Sequence, residues 1–213
     1  MKPQFITVEG VEGVGKSTNV TFIHQYLLDK GIDVVVTREP GGTPLAEDIR
    51  AQLLADRKET VCDVTELLLM FAARAQHIDA VIKPALNKGQ WVLCDRFTDA
   101  TFAYQGGGRG MDVGTIHQLS RIVQDTLTPS LTFLLDCDVT VGMERVMRRG
   151  QLDRFELEKI DFFERVRAAY LSLAIEHKAR FRTIAAGEPI NEVQQAIRHE
   201  LDDLMECILA NNG

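Results

Sequence analysis

The run Phe5-Ile6-Thr7-Val8-Glu9 leads without a break into Gly10-Val11-Glu12-Gly13-Val14-Gly15-Lys16-Ser17-Thr18. Its apolar and β-branched residues predict a buried strand, and Gly10 to Ser17 spell a complete G-x-x-x-x-G-K-S string that opens a helix-like segment. Strand, glycine-rich turn and helix N-terminus together make a phosphate-binding loop. The glycines let the backbone curl so that successive N–H groups face phosphate oxygens, and the helix adds its positive dipole end. On this reading Gly10, Val11, Glu12, Gly13, Val14, Gly15, Lys16, Ser17 and Thr18 bind a nucleoside triphosphate. Lys16 contacts the β- and γ-phosphates, and Ser17 contacts the magnesium ion. The ordinary alternative is a glycine-rich turn with no ligand, and the flanking strand and helix argue against it.

Outward from this unit the same alternation recurs. Apolar runs at Phe5–Glu9, Asp33–Thr37, Trp91–Asp95, Leu131–Asp136 and Arg182–Ala185 predict five strands. Helical patterning fills the stretches near 16–30, 44–56, 63–87, 112–126, 139–149, 160–179 and 190–209. Such alternation is the mark of βαβ units. The expected fold is therefore α/β, a five-stranded parallel sheet flanked by helices, in one domain over residues 1–213. Ligands in such sheets lie beyond the carboxyl ends of the strands. The exits here are the phosphate loop, then Arg38-Glu39-Pro40-Gly41-Gly42-Thr43, then Asp95-Arg96-Phe97, then Asp136. One polar exit is only a solvated loop or cap, but this series argues for a shared crevice.

Composition narrows the class further. The chain has 213 residues, 45% of them hydrophobic, enough for a core without disulfide or metal staples. Cys62, Cys94, Cys137 and Cys207 lie far apart and read as reduced, mostly buried thiols. No signal-peptide pattern and no run near the ~18 apolar residues of a membrane span is present, so a cytoplasmic protein is expected. Twenty-four basic against thirty-one acidic residues give a formal charge of -7, the wrong sign for general adhesion to nucleic acid. The run Gly106-Gly-Gly-Arg109-Gly110 reads either as a flexible turn or as N–H groups offered to an anion.

A phosphate loop alone admits ATPases, GTPases and small-molecule kinases. The N-K-x-D string by which most GTPases read guanine is absent. The remaining motifs are Glu9 to Thr18, Thr37-Arg-Glu-Pro-Gly-Gly-Thr43, Ala72-Ala-Arg74-Ala-Gln-His77, Asp95-Arg-Phe97, Tyr104-Gln-Gly-Gly-Gly-Arg109 and Arg148-Arg-Gly-Gln-Leu-Asp-Arg154. In this order they resemble the thymidylate (dTMP) kinase family in its bacterial form, over roughly residues 4 to 200. That resemblance implies a P-loop NTPase-type fold with a lid at about 148–157. It also implies transfer of the γ-phosphoryl of Mg-ATP to dTMP, and a homodimer for which Thr65 to Leu86 offers an apolar face; the ordinary role of that segment is a core helix.

The resemblance also implies roles for particular residues. Lys16, Arg96, Arg149 and Arg154 form the catalytic set, with Arg96 gripping the acceptor phosphate and the lid arginines acting as a finger in cis. A basic helix C-terminus ending at Gly150 accounts for Arg148 and Arg149 equally well, but not for Arg154. Glu12 faces the 3′-hydroxyl of the acceptor. Gly13 stands where some members carry a catalytic arginine, so the charge must come from elsewhere. Arg38 and Arg50 line the acceptor site, Arg74 and Gln105 meet the base, and Tyr104 and Thr101 sit near sugar and pyrimidine. Solvation for Arg50, and an ordinary core place for Tyr104 and Thr101, remain open. Asp95 holds Arg96 or the magnesium, directly or through water, or is a plain cap. Many members have phenylalanine four residues before the base-reading arginine, but here Met70 holds that place with Phe71 beside it, so either packs on the base. A kinase for another pyrimidine monophosphate and a regulatory ATP-binding protein are the competing functions.

Overall fold

The computed structural model describes residues 2–150 and 153–210, with the side chain of Arg149 outside the described set. Strands β1 (Phe5–Glu9), β2 (Val34–Arg38), β3 (Trp91–Asp95), β4 (Leu131–Asp136) and β5 (Phe181–Ala185) form a sheet in the order β2-β3-β1-β4-β5, and every pairing is parallel. Burial follows position in the sheet. Central β1 is buried at all its residues, whereas the edge strands β2 and β5 alternate buried with more exposed positions. A strand covered on both faces needs a continuous apolar run, and an edge strand does not.

Helices α1 (Lys16–Asp29), α2 (Pro44–Leu54), α3 (Asp63–His77), α4 (Lys83–Asn87), α5 (Thr98–Thr101), α6 (Val113–Gln124), α7 (Val139–Arg149), α8 (Ile160–Glu176) and α9 (Ile190–Ala210) complete the described fold. Phe5, Val92 and Cys94 of the sheet cluster with Ile78, Ile82 and Ala85, while Ile6, Val8 and Phe133 share a larger core with Ile23 and Leu27 of α1 and Ile197 and Leu201 of α9. Local signals set the helix ends. The Thr43 hydroxyl caps α2 ahead of Pro44, Asp138 caps α7, and Gly150 closes α7 at φ +89°.

Two stretches differ from the sequence expectation. The predicted helix over 63–87 is continuous but contains a π-helical turn at Ile78–Ile82. Pro84 supplies the reason, because it has no N–H to offer the carbonyl four residues back, at Ala80, and the turn widens around that point. The glycine run, expected as a flexible turn or an anion contact, instead continues α5 as a π-helical segment, Phe102–Gly108, packed on α8. A Cβ at Gly107 would lie 2.5 Å from Ala169 Cβ, and one at Gly108 would lie 2.5 Å from the Phe162 ring. These glycines permit close approach of two helical segments. The cysteines also divide differently: Cys94 and Cys137 are buried, but Cys62 and Cys207 are exposed. No helix among the described residues is long and apolar enough to cross a membrane.

Candidate active site

The loop after β1 delivers Lys16 at the start of α1, where Gly15 occupies the cap in the left-handed region. Lys16 Nζ folds back onto the loop, donating to the carbonyls of Val11 at 2.7 Å and Gly10 at 3.1 Å. Burial, with Arg96 nearby, lowers its pKa to about 8. Helix α7 braces the loop from outside. A Cβ at Gly13 would fall 1.9 Å from the Gly142 carbonyl oxygen, and one at Gly142 would fall 2.5 Å from that of Glu12. The place where an arginine would stand at position 13 is therefore filled by α7 backbone. Arg145, one turn along the same face, reaches the carbonyls of Gly13 at 3.4 Å and Ala186 at 3.3 Å.

Arg96 follows β3 in the left-handed region, at φ +67°, which for a residue with a side chain costs about 1 kcal/mol or more. Its amide donates to the Val8 carbonyl at 3.0 Å, so the turn is fixed to β1. Its guanidinium is held on several sides: Nη1 donates to Gly10 O at 2.9 Å and to the Tyr170 hydroxyl at 3.2 Å, and Nη2 donates to Glu12 Oε1 at 2.8 Å. Its plane lies 4.8 Å from the Tyr104 ring centroid, and Tyr104 donates its hydroxyl to Glu12 Oε2 at 2.5 Å. Nε is left with no hydrogen bond to the described residues, so this cation retains donor capacity for an anion.

Arg74 sits on α3 and is almost wholly buried. Its Nε donates to Glu39 Oε2 at 2.6 Å, and Nη2 donates to Thr101 Oγ1 at 2.9 Å and Phe97 O at 3.2 Å. Glu39 is held in turn by His77 Nδ1 at 2.9 Å, whose Nε2 meets Thr37 Oγ1 at 2.6 Å. Arg74 Nη1 is buried with no hydrogen-bond partner among the described residues. A buried N–H without an acceptor is costly, so a guanidinium pinned on its other nitrogens and lining a cleft is set up to meet a ligand acceptor. Asp95 Oδ1 is likewise buried and unpartnered.

Two adjoining clefts result. The first, with about 620 Å³ of space partly open to solvent, is walled by Pro40, Leu54, Met70, Phe97, Ala100 and Phe155, with Arg50, Arg74, Arg96, Thr101, Tyr104 and Gln105 among its polar groups. The second, about 1250 Å³, runs along Gly13, Gly15, Lys16, Ser17 and Thr18 past Arg38, Asp95 and Arg145. Glu12, Glu39, Arg50, Arg96 and Asp153 belong to both, so the two spaces share a wall rather than lying apart.

Several expected site residues stand elsewhere. Met70 lines the first cleft and Phe71 does not: the Phe71 ring is buried with Leu67 and Ile116, its centroid 5.0 Å from the Arg74 guanidinium, which it supports from behind. Arg154 is not at the phosphate loop. Its Nη2 donates to Glu66 Oε2 at 2.6 Å and its Nε to Leu53 O at 2.8 Å, so carboxylate and carbonyl hold the guanidinium away from the loop. Glu66 also accepts from Gln105 at 2.9 Å and from Arg109 at 3.3 Å. Burial works against its charge, but Gln105 and the two arginines outweigh it and hold the carboxyl below its ordinary pKa. Arg109, beside the glycine N–H groups read as a possible anion contact, is occupied by Glu66 and Glu158. Asp95 does not hold Arg96, whose partners are those named above. Arg38 pairs with Glu47 at 2.8 Å and lines only the second cleft, whereas Arg50 donates to Pro40 O at 3.0 Å and does line the first. Arg149's side chain, Gln151 and Leu152 lie outside the described residues.

Sequence reasoning passed over Glu39, His77, Glu66 and Arg145. The first two stand inside recognised motifs but were given no role. Arg145 had one signal, its one-turn spacing from Gly142.

A family profile described as thymidylate kinase matches residues 8–197. The chain belongs to the thymidylate kinase family. A thymidylate kinase of Teredinibacter turnerae is 57% identical over 202 residues, covering 95% of this chain and 98% of that protein. One from Pseudomonas entomophila is 54% identical, covering 97% and 98%. The crystal structure of thymidylate kinase from Ehrlichia chaffeensis superposes with a TM-score of 0.79 at 33% identity, over 94% of this chain and all of that one. The parallel sheet and phosphate loop are thus the P-loop NTPase fold of this family.

Proposed function

We propose that the chain is one kinase domain over residues 1–213 that transfers the γ-phosphoryl of ATP to the 5′-phosphate of dTMP, giving dTDP and ADP for dTTP synthesis. The observation that carries this reading is the shared wall of the two clefts, with Arg96 between phosphate loop and acceptor pocket and its Nε unused. Two anions meeting at one cation is what phosphoryl transfer between nucleotides requires. Gly10 to Thr18 hold ATP. Lys16 leaves its loop carbonyls for the phosphates.

In the acceptor cleft, Arg74 Nη1 needs an acceptor, which a pyrimidine O4 supplies and the 4-amino group of cytosine does not. Met70, Leu54, Phe97 and Ala100 give the base and its methyl an apolar wall. Glu12 and Tyr104, hydrogen-bonded to each other, face the sugar. Magnesium fits the donor set, since Ser17 and Asp95 offer hard oxygens in one cleft and Asp95 Oδ1 has no hydrogen-bond partner among the described residues. Magnesium sites commonly take one or two protein oxygens and complete themselves with phosphate and water. The ion supplies charge neutralisation on the phosphates when bound. Arg149 and Arg154, from the lid at about 148–157, are proposed to add charge at the transferred group, which requires Arg154 to exchange Glu66 for phosphate.

An ADP-release assay across nucleoside monophosphates tests the reading. Fastest turnover with dTMP is expected. Equal or faster turnover of dCMP or UMP would overturn the acceptor assignment, and no monophosphate-dependent ATP consumption would favour a regulatory ATP-binding protein.

A homodimer is proposed through the exposed apolar residues Val64 and Leu68 of α3 and Ile122 of α6, with Leu68→Glu expected to shift sedimentation to the monomer. A cytoplasmic setting suits ATP chemistry and four free cysteines.

A further inference from the structure

Glu9 and Tyr170 lie behind the crevice, lining neither cleft, and both are essentially inaccessible, at 0% and 1% exposure. They come from opposite ends of the chain, Glu9 from the end of β1 and Tyr170 from α8. Glu9 Oε1 accepts the Phe97 amide at 2.7 Å, and Oε2 accepts the Tyr170 hydroxyl at 2.8 Å. The same Tyr170 oxygen accepts from Arg96 Nη1 at 3.2 Å. A carboxyl group buried this fully is costly to ionise and holds its proton to higher pH than usual, and a well-packed apolar pair of similar volume would stabilise the fold at least as well. Something other than stability accounts for it.

We infer that Glu9 and Tyr170 are positioning residues that aim Arg96 at the acceptor phosphate. This rests on the function proposed above. One oxygen of Glu9 fixes the amide immediately after Arg96, and so holds the left-handed turn from its far side while the Arg96 amide holds the near side. The other oxygen, through Tyr170, reaches the guanidinium itself. The Arg96 fork is thus tied at Nη1 from behind and at Nη2 by Glu12, which leaves Nε–H and the second Nη2–H as donors for an anion. Burial and the adjacent Glu9 push the Tyr170 hydroxyl well above the ordinary phenol range, so it stays protonated and donates to Glu9 while accepting from Arg96. Nearby Asp99 does not compete for Arg96, because both its oxygens are taken by Arg180 at 2.7 and 2.8 Å.

Tyr170→Phe in the full chain removes the hydroxyl and keeps the ring. Calorimetric titration with dTMP, thymidine and ATP then separates positioning from packing. The expected result is binding of dTMP weakened about tenfold, with thymidine and ATP unchanged, because only dTMP carries the phosphate that Arg96 meets. In an Arg96→Ala background the same substitution adds no further loss, the signature of action through that residue. Should Tyr170→Phe fold poorly by circular dichroism, Glu9→Met, which keeps size and removes both acceptor oxygens, is expected to give the same split between dTMP and thymidine. Equal weakening of dTMP and thymidine, no weakening of either, or full additivity with Arg96→Ala would overturn the inference. Wild-type protein that bound thymidine as tightly as dTMP would overturn the parent reading, and this one with it.

Discussion

The phosphate-loop cleft has one continuous stretch, residues 12–18, along its floor, with charged residues of other elements around it, while the acceptor cleft gathers side chains from the exit of β2, from α2, α3 and α5, from the π-helical segment after α5 and from residues 153–155. The first relies largely on backbone curvature imposed by glycines and on a brace from α7. The second relies on buried side chains that hold one another: Thr37, His77, Glu39 and Arg74 form one line, and Glu66 with Gln105, Arg109 and Arg154 forms another. A site made of backbone tolerates changes around it as long as the turn survives. A site made of linked charges transmits each change to the next partner.

Substitutions can break or sharpen this contrast. Arg96→Ala has the largest expected effect, because Arg96 belongs to both clefts: kcat/KM for dTMP should fall about a thousandfold, with ATP binding much less affected. Equal loss toward both substrates would place Arg96 with the loop alone. Arg154→Ala is next, with kcat lowered about a hundredfold and KM for ATP largely kept. A near-normal kcat would return Arg154 to its anchoring role on Glu66. Glu39→Gln should raise KM for dTMP about tenfold and destabilise the protein by about 3 kcal/mol, measurable by urea titration, since it weakens a buried ion pair whose arginine stays behind. An unchanged KM would uncouple the Glu39 line from the cleft. Gly142→Ala should act on the other side, raising KM for ATP a few fold and costing about 1–3 kcal/mol, because its Cβ meets the Glu12 carbonyl.

A further expected effect is one of pH. Burial, together with Asp99, raises the Glu9 carboxyl from 4.5 to about 8, so between these values the folded protein keeps a proton that the unfolded chain has released. Stability therefore falls as pH rises through this window. Melting temperatures across it should decline in the wild type and flatten in Glu9→Gln. An identical slope in the two would assign the decline to other groups.

The two clefts were also unequally legible in the sequence. The phosphate loop could be read whole because a local turn needs glycines, a lysine and a hydroxyl at fixed spacing, all within one strand-turn-helix unit. The strands followed from apolar runs and came within one residue of their observed ends. Arg74 and Tyr104, which line the first cleft, stand in motifs, and Thr101 beside them follows from the family resemblance, but the choice between Met70 and Phe71 is not legible, since adjacent helical residues point about 100° apart and only the packing of α3 on α6 turns Phe71 inward. The π-helical segment was missed because glycines next to each other look like a turn until α8 is seen lying against them. Arg154 looked like a free lid cation, but Glu66, far away in the chain, holds it.

By itself the sequence determined the parallel α/β fold and the phosphate loop, because both rest on hydrogen bonding and hydrophobic periodicity between near neighbours, and its motifs taken in order carried the resemblance to the family. The tertiary structure alone decided which charges meet: that Arg96 stands between the clefts, that Glu39 carries Arg74, and that Glu9 and Tyr170 support Arg96. Long-range ion pairs leave no periodic trace in a chain, since they depend on where distant elements come to rest.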